Sequence, residues 1–149
     1  MKYLLYCALF ATVFFSACKK DLSFEEQLAS DTEKIQNYLT DKGLTADSIT
    51  SGLHYIIEVE GSGGHPGLTS NIKVTYKGYY LDDMIFDPGG TIQFNLQEVI
   101  TGWQEGIPLF QKGGKGKLLI PSYLAYGSNP PSGVRKNAPM VFDVELLDF

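Results

Sequence analysis

All seven prolines of this chain lie at or beyond Pro66. A proline inside a helix removes a backbone hydrogen bond and clashes with the preceding turn, so the breaker-free front is open to helix and the body after it is not. Sixteen glycines add turns. The contrast predicts a helical front and a strand-and-turn body. A length of 149 residues gives one domain's worth of core, and 44% apolar with 19% charged residues is ordinary globular composition.

The front carries its own start and stop signals. Ser23-Phe24-Glu25-Glu26 has the capping-box form, and Gly43 supplies a C-terminal stop. Phe24, Leu28, Ile35, Tyr38 and Leu39 share one helical face, interrupted by Asp31 and Thr32. The pattern predicts a helix over 24–42 that packs on the body, dimerises or acts as a spacer, followed by a polar linker over 45–51. From Leu53 onward the period becomes two. Leu53, Tyr55, Ile57 and Val59 alternate with more polar residues, as do Ile72, Val74, Tyr76, Gly78 and Tyr80. In the last strand Phe142, Val144 and Leu146 face one way, Asp143 and Glu145 the other. Asp82-Asp83 reads as a hairpin tip, and 98–107 as a brief helix stopped near Pro108. Strands with one short helix make an α+β domain whose helix covers one sheet face.

Lys2 and the apolar run from Leu4 to Phe15 form a signal-peptide core, shorter than the ~20 residues a membrane-spanning helix needs. Phe15-Ser16-Ala17-Cys18 then resembles a bacterial lipobox, with Phe15 where Leu, Val or Ile is usual. That resemblance implies a signal peptide over 1–17, acylation of Cys18, and a lipidated N-terminus with helical spacer and linker over 18–51. It implies a protein exported and anchored to the bacterial cell envelope, at the outer membrane. The chain's other cysteine is Cys7, inside the leader, so cleavage leaves no free thiol and no disulfide.

A formal net charge of −5 with no basic run excludes a nucleic-acid footprint. Lys112-Gly113-Gly114-Lys115-Gly116-Lys117 lacks the Ser or Thr that ends a phosphate loop, since Leu118 follows. His54 and His65 read as surface residues, too scattered for a metal site. No nucleophile–base set and no paired carboxylates are present, so hydrolase and redox chemistry lack support and no cofactor is expected.

In chain order the body reads VTYKGYY (74–80), IFDPGG (85–90), IQFNLQEVITGWQEGI (92–107), KGGKGKLLIPSYLAYGS (112–128) and NAPMVFDVELL (137–147). This order and spacing resemble the FKBP family of prolyl isomerases, over 52–149. The resemblance implies a curved antiparallel sheet of five or six strands wrapped around the helix carrying Trp103. It implies a substrate pocket lined by Tyr76, Phe86, Asp87, Ile92, Val99, Ile100, Trp103, Tyr126, Val134 and Phe142, with Ile92 where the family usually has Phe. Asp87, Tyr126 and Tyr76 would be its catalytic residues. The implied activity is cis–trans isomerisation of Xaa–Pro bonds in exported proteins, without cofactor or metal. The implied partners are proline-containing clients, macrolide inhibitors and, through the lipid, a membrane. The alternative is a tethered proline-binding or chaperone module with little turnover. Each aromatic also has a plain reading as core, and Asp87 before Pro88 one as a turn residue. Two loops depart from the family pattern. Pro88-Gly89-Gly90-Thr91 is short, and Val134-Arg135-Lys136-Asn137 replaces an Ile-Pro-Pro-Asn flap, setting two cations at the pocket rim.

Overall fold

The computed structural model of the chain describes residues 22–149, so the expected leader and Cys18 lie outside the described residues. The first element, α1 (Phe24–Lys42), begins and ends where its cap residues predict. Ser23 Oγ accepts from the Glu26 N–H and the Glu26 carboxylate accepts from the Ser23 N–H, which satisfies two helix-start donors at once. Gly43 takes a left-handed φ of 63°, and its N–H closes on the last turn. Among the described residues no helix is long and apolar enough to cross a membrane.

Six strands follow: β1 (Asp47–Ser48), β2 (His54–Val59), β3 (Asn71–Tyr80), β4 (Ile85–Asn95), β5 (Lys115–Ile120) and β6 (Met140–Asp148). They form one antiparallel sheet in the order β1-β2-β5-β6-β3-β4. A second helix, α2 (Thr101–Gly106), lies in the connection between β4 and β5. The β3–β4 register shifts on either side of Gly78, and such bulges bend a strand and sharpen its twist.

The period of two divides the sheet between two helices. Leu118, Ile120, Met140, Phe142 and Tyr80 pack with Trp103 of α2 on one face. Their neighbours Leu119, Val141 and Tyr79 pack with Ile35, Tyr38 and Leu39 of α1 on the other. Both faces therefore carry packed apolar residues, and α1 is a layer of the domain rather than a free spacer. On the α2 side the helix approaches closely because it presents glycine. A Cβ at Gly102 would lie 2.4 Å from Ile120 Cγ2, and one at Gly106 2.6 Å from Leu118 Cδ2.

Three local expectations need correction. The helix over 98–107 is only Thr101–Gly106, because Val99 and Ile100 are extended (ψ 173° and 148°) and Pro108 sits in a 3-10 turn that ends the ladder. The linker over 45–51 contains β1, which pairs Asp47 with Tyr55 and Ser48 with His54. His54 is buried rather than on the surface, its ring nitrogens bonded to Gln36 Nε2 (3.0 Å) and the Gly52 carbonyl (3.0 Å). His65 is exposed, with Nδ1 on the Pro108 carbonyl. No group of three or more potential metal ligands occurs among the described residues.

Candidate active site

Between the concave sheet face and α2 lies a cavity of about 280 Å³. Its floor is Trp103, 4% exposed, the third residue of α2. Three rings hold that indole. Tyr76 meets it edge-on at 5.2 Å, Phe142 edge-on at 5.2 Å, and Phe94 tilted at 5.6 Å. Each such pair contributes about 0.5–1.5 kcal/mol beyond area burial, so the floor is rigid before any ligand arrives. Gly78 makes room for this cluster. A Cβ there would come within 2.7 Å of Phe86 Cζ and 2.9 Å of Phe142 Cε1.

The polar groups are few and fixed. The Tyr76 hydroxyl donates to Asp87 Oδ2 at 2.6 Å, and the Gly89 N–H donates to Asp87 Oδ1 at 2.9 Å. Burial, reinforced by that bond to Asp87, pushes the Tyr76 phenol up to about 12. Burial also raises the Tyr126 phenol, with Asp87 and Tyr80 adding to the effect. Both phenols are therefore protonated donors across the neutral range. Tyr76 spends its proton on Asp87. The Tyr126 hydroxyl has no protein acceptor among the described residues, and the side chain is 37% exposed at the cavity mouth. On the opposite rim, Gln104 Nε2 donates to the Val99 carbonyl at 2.8 Å and fixes the extended Val99–Ile100 backbone.

Of the expected pocket residues, Tyr76, Asp87, Ile92 and Val99 line this cavity, as do Ile100, Trp103, Tyr126 and Phe142. Phe86 and Val134 are not on its wall. Phe86 stands behind it, against Tyr80 (4.9 Å) and Phe142 (5.6 Å). Val134 packs on the core margin. Phe94 and Glu98 line the cavity and escaped the sequence reading. Phe94 was findable, since it lies two residues from Ile92 on one strand and so shares its face. Arg135, expected at the rim as a cation, folds away from it. Its guanidinium lies 4.3 Å over the Tyr80 ring and bonds to Asp82 at 2.8 Å, which straps the flap to the β3–β4 hairpin tip.

The family model for FKBP-type peptidyl-prolyl cis-trans isomerase matches residues 63–147. The chain belongs to this family. FKBP-type peptidyl-prolyl cis-trans isomerase FkpA of Escherichia coli K12 is 39% identical over 134 residues, 87% of this chain and 48% of its own length. FkpA of Aeromonas hydrophila is 40% identical over 127 residues, 83% of this chain and 44% of its own. The chain thus spans about half the length of the curated relatives it matches. Among solved structures, E. coli FkpA superposes with a TM-score of 0.71 at 37% identity, covering 83% of this chain and 61% of that one. A peptidyl-prolyl cis-trans isomerase from Pseudomonas syringae gives 0.72 at 27% identity, covering 87% and 97%. The FKBP architecture expected from the motifs, a sheet around one short helix with a helix before it, is the one observed.

Proposed function

We propose that this FKBP-family chain is a peptidyl-prolyl cis–trans isomerase. The observation that carries the proposal is the dry aromatic floor around Trp103, with one protonated phenol, Tyr126, left unused at its mouth. Rotation about an Xaa–Pro bond meets a barrier of ~18–20 kcal/mol because resonance stiffens the C–N bond. The twisted transition state has lost conjugation and is less dipolar than the planar amide. Water favours the planar form, so a site that replaces water by rings lowers the relative cost of twisting. No proton leaves and no covalent bond breaks, so the lack of a nucleophile–base pair is no obstacle.

In this reading the proline ring sits on Trp103 between Phe142 and Ile92, with Phe94 closing the far side. Tyr126 donates to a substrate carbonyl and the Ile100 N–H to a neighbouring one. Asp87 holds Tyr76 and presents fixed negative charge beside the twisting amide. Phe86 supports the wall from behind. Macrolides of suitable size would compete for the same cavity.

A binding module with little turnover is the second reading, and the flap favours it. Val134 is off the cavity wall and Arg135 is strapped to Tyr80 and Asp82, so the rim on that side is set back. Cis–trans exchange of a Leu-Pro peptide at increasing protein concentration separates the two. The isomerase reading expects exchange to accelerate in proportion to protein, whereas saturable binding without acceleration would establish the module. The proposed setting is the bacterial envelope, with residues 1–17 as leader and Cys18 as lipid anchor at the outer membrane, supported by the small-small-Cys end of that segment. Metabolic labelling with a fatty acid, lost in Cys18→Ala, tests it.

A further inference from the structure

Tyr126 owes its place to a tight turn. The Ser122 carbonyl accepts from the Ala125 N–H (3.1 Å) and the Gly127 N–H (2.8 Å), which folds Ser122–Gly127 back on itself with Tyr126 at the bend. Ser122 is itself held from α1. Asp31 is fully buried, and its Oδ2 accepts from both the Ser122 N–H (2.8 Å) and the Ser122 hydroxyl (2.5 Å). Its Oδ1 accepts from Gln27 Nε2 at 2.7 Å, and Lys34 Nζ lies 3.6 Å away. Two further ties join the same turn to this side of the molecule. The Tyr123 ring meets Phe24 edge-on at 5.0 Å, and the Tyr123 hydroxyl donates to the Ser51 carbonyl.

A buried carboxylate is costly unless its oxygens are bonded. Adhesion of α1 does not require one, because Ile35, Tyr38 and Leu39 already seat the helix on the sheet. What the carboxylate adds is direction. One oxygen takes both donors of Ser122, and the turn carrying Tyr126 starts from that residue.

We propose that Asp31 is a positioning residue for the isomerase site, acting from α1 through Ser122 to aim the Tyr126 hydroxyl over the cavity. This rests on the role given to Tyr126 above. The helix that looks like a spacer is then part of the active-site scaffold, and loosening it at Asp31 lowers turnover rather than merely stability.

A double-mutant cycle on the full chain tests this, with saturation kinetics on a Leu-Pro peptide for Asp31→Ala, Tyr126→Phe and the pair. Asp31→Ala is expected to lower kcat/KM about tenfold, the scale of one transition-state hydrogen bond, with the loss in kcat rather than KM. The pair is expected to be no worse than Tyr126→Phe alone, because both changes remove the same contact. Ser122→Ala, which deletes one of the two bonds and little volume, is expected to fall in the same direction. It carries the cycle if Asp31→Ala does not fold. Ile35→Ala, which loosens α1 at its apolar seat, is expected to lose stability and keep kcat/KM. Folded Asp31→Ala with wild-type kcat/KM, or losses that multiply in the pair, would overturn the proposal. Unchanged activity in Tyr126→Phe alone would remove the role of Tyr126, and with it the proposal, and that result is read before any Asp31 variant is considered.

Discussion

The Tyr76 hydroxyl, on β3, donates to Asp87 Oδ2, on β4, at 2.6 Å, and the second oxygen of Asp87 is taken by the Gly89 N–H. Both oxygens of the carboxylate are thus committed, which suits a fixed charge and not a proton shuttle. Asp87→Ala is expected to lower kcat/KM by about ten- to a hundredfold, since it removes preorganised charge and leaves the Tyr76 hydroxyl without its acceptor. Tyr76→Phe, which keeps the ring against Trp103 and loses only the bond, is expected to cost several-fold less. Peptide exchange kinetics on the two variants check the ranking.

Gly78 leaves no room for a side chain beside the aromatic cluster. Gly78→Ala places a methyl inside contact distance of Phe142, on the cavity wall, and of Phe86, which backs that wall. Overpacking of this kind costs about 1–3 kcal/mol, so the urea midpoint is expected to fall while KM for a Leu-Pro peptide rises. An unchanged KM in a destabilised Gly78→Ala would mean the two rings do not shape the cavity.

Alkaline pH separates stability from activity. The Tyr76 phenol is raised to about 12 by burial and its bond to Asp87, against about 10 in the unfolded chain. A folded value above the unfolded one means this stabilisation is complete below about pH 10 and is lost as pH climbs towards 12. Tyr79, raised by burial and its bond to Asp143 on the opposite face, adds in the same direction. Urea midpoints are therefore expected to decline above about pH 10, less steeply in Tyr76→Phe, while turnover stays level through the neutral range.

Acid acts through Asp143. Burial works against its ionised form, but hydrogen bonds from Lys117, Tyr79 and Lys77 outweigh burial and hold its carboxyl below the usual range. A lowered folded value gives stability that is present above about pH 4 and lost below it. Asp143→Asn is expected to flatten that acid limb of the stability profile while leaving kcat/KM at neutral pH unchanged, because Asp143 does not line the cavity.

The parts of this protein legible in its sequence are those fixed by short-range pattern. Ser23 and Gly43 marked both ends of α1, and the alternation of Phe142, Val144 and Leu146 with Asp143 and Glu145 divided the two faces of the last strand. What escaped depends on partners distant in the chain. Asp31 looked like an interruption of an apolar helix face because its partner, Ser122, lies 91 residues on. His54 looked exposed because the glutamine that satisfies it, Gln36, sits on another element. Two residues of β1 are too few to show a period. Val134 was placed by motif position, but its strand-free segment is steered by the Arg135 strap to Tyr80, which no local pattern announces.

The docking of α1 is testable by itself. Ile35 is fully buried against Leu119, Val141 and Tyr79, so Ile35→Ala is expected to destabilise the domain by about 2–5 kcal/mol in urea unfolding. A cost under about 0.5 kcal/mol, the scale of an ordinary surface change, would mean the helix leaves the sheet in solution.

The most direct test of the account is exchange spectroscopy on a Leu-Pro peptide with catalytic amounts of the full chain and of Asp87→Ala/Tyr126→Phe. Uncatalysed exchange takes ~10–100 s, so acceleration is easily resolved. The account predicts that the wild-type chain speeds exchange in proportion to its concentration and that the double variant, still folded and still binding the peptide, does so at least about tenfold less well. Equal acceleration by both proteins would remove Asp87 and Tyr126 from the mechanism, and no acceleration by either would make this FKBP domain a binder of prolyl segments and not their isomerase.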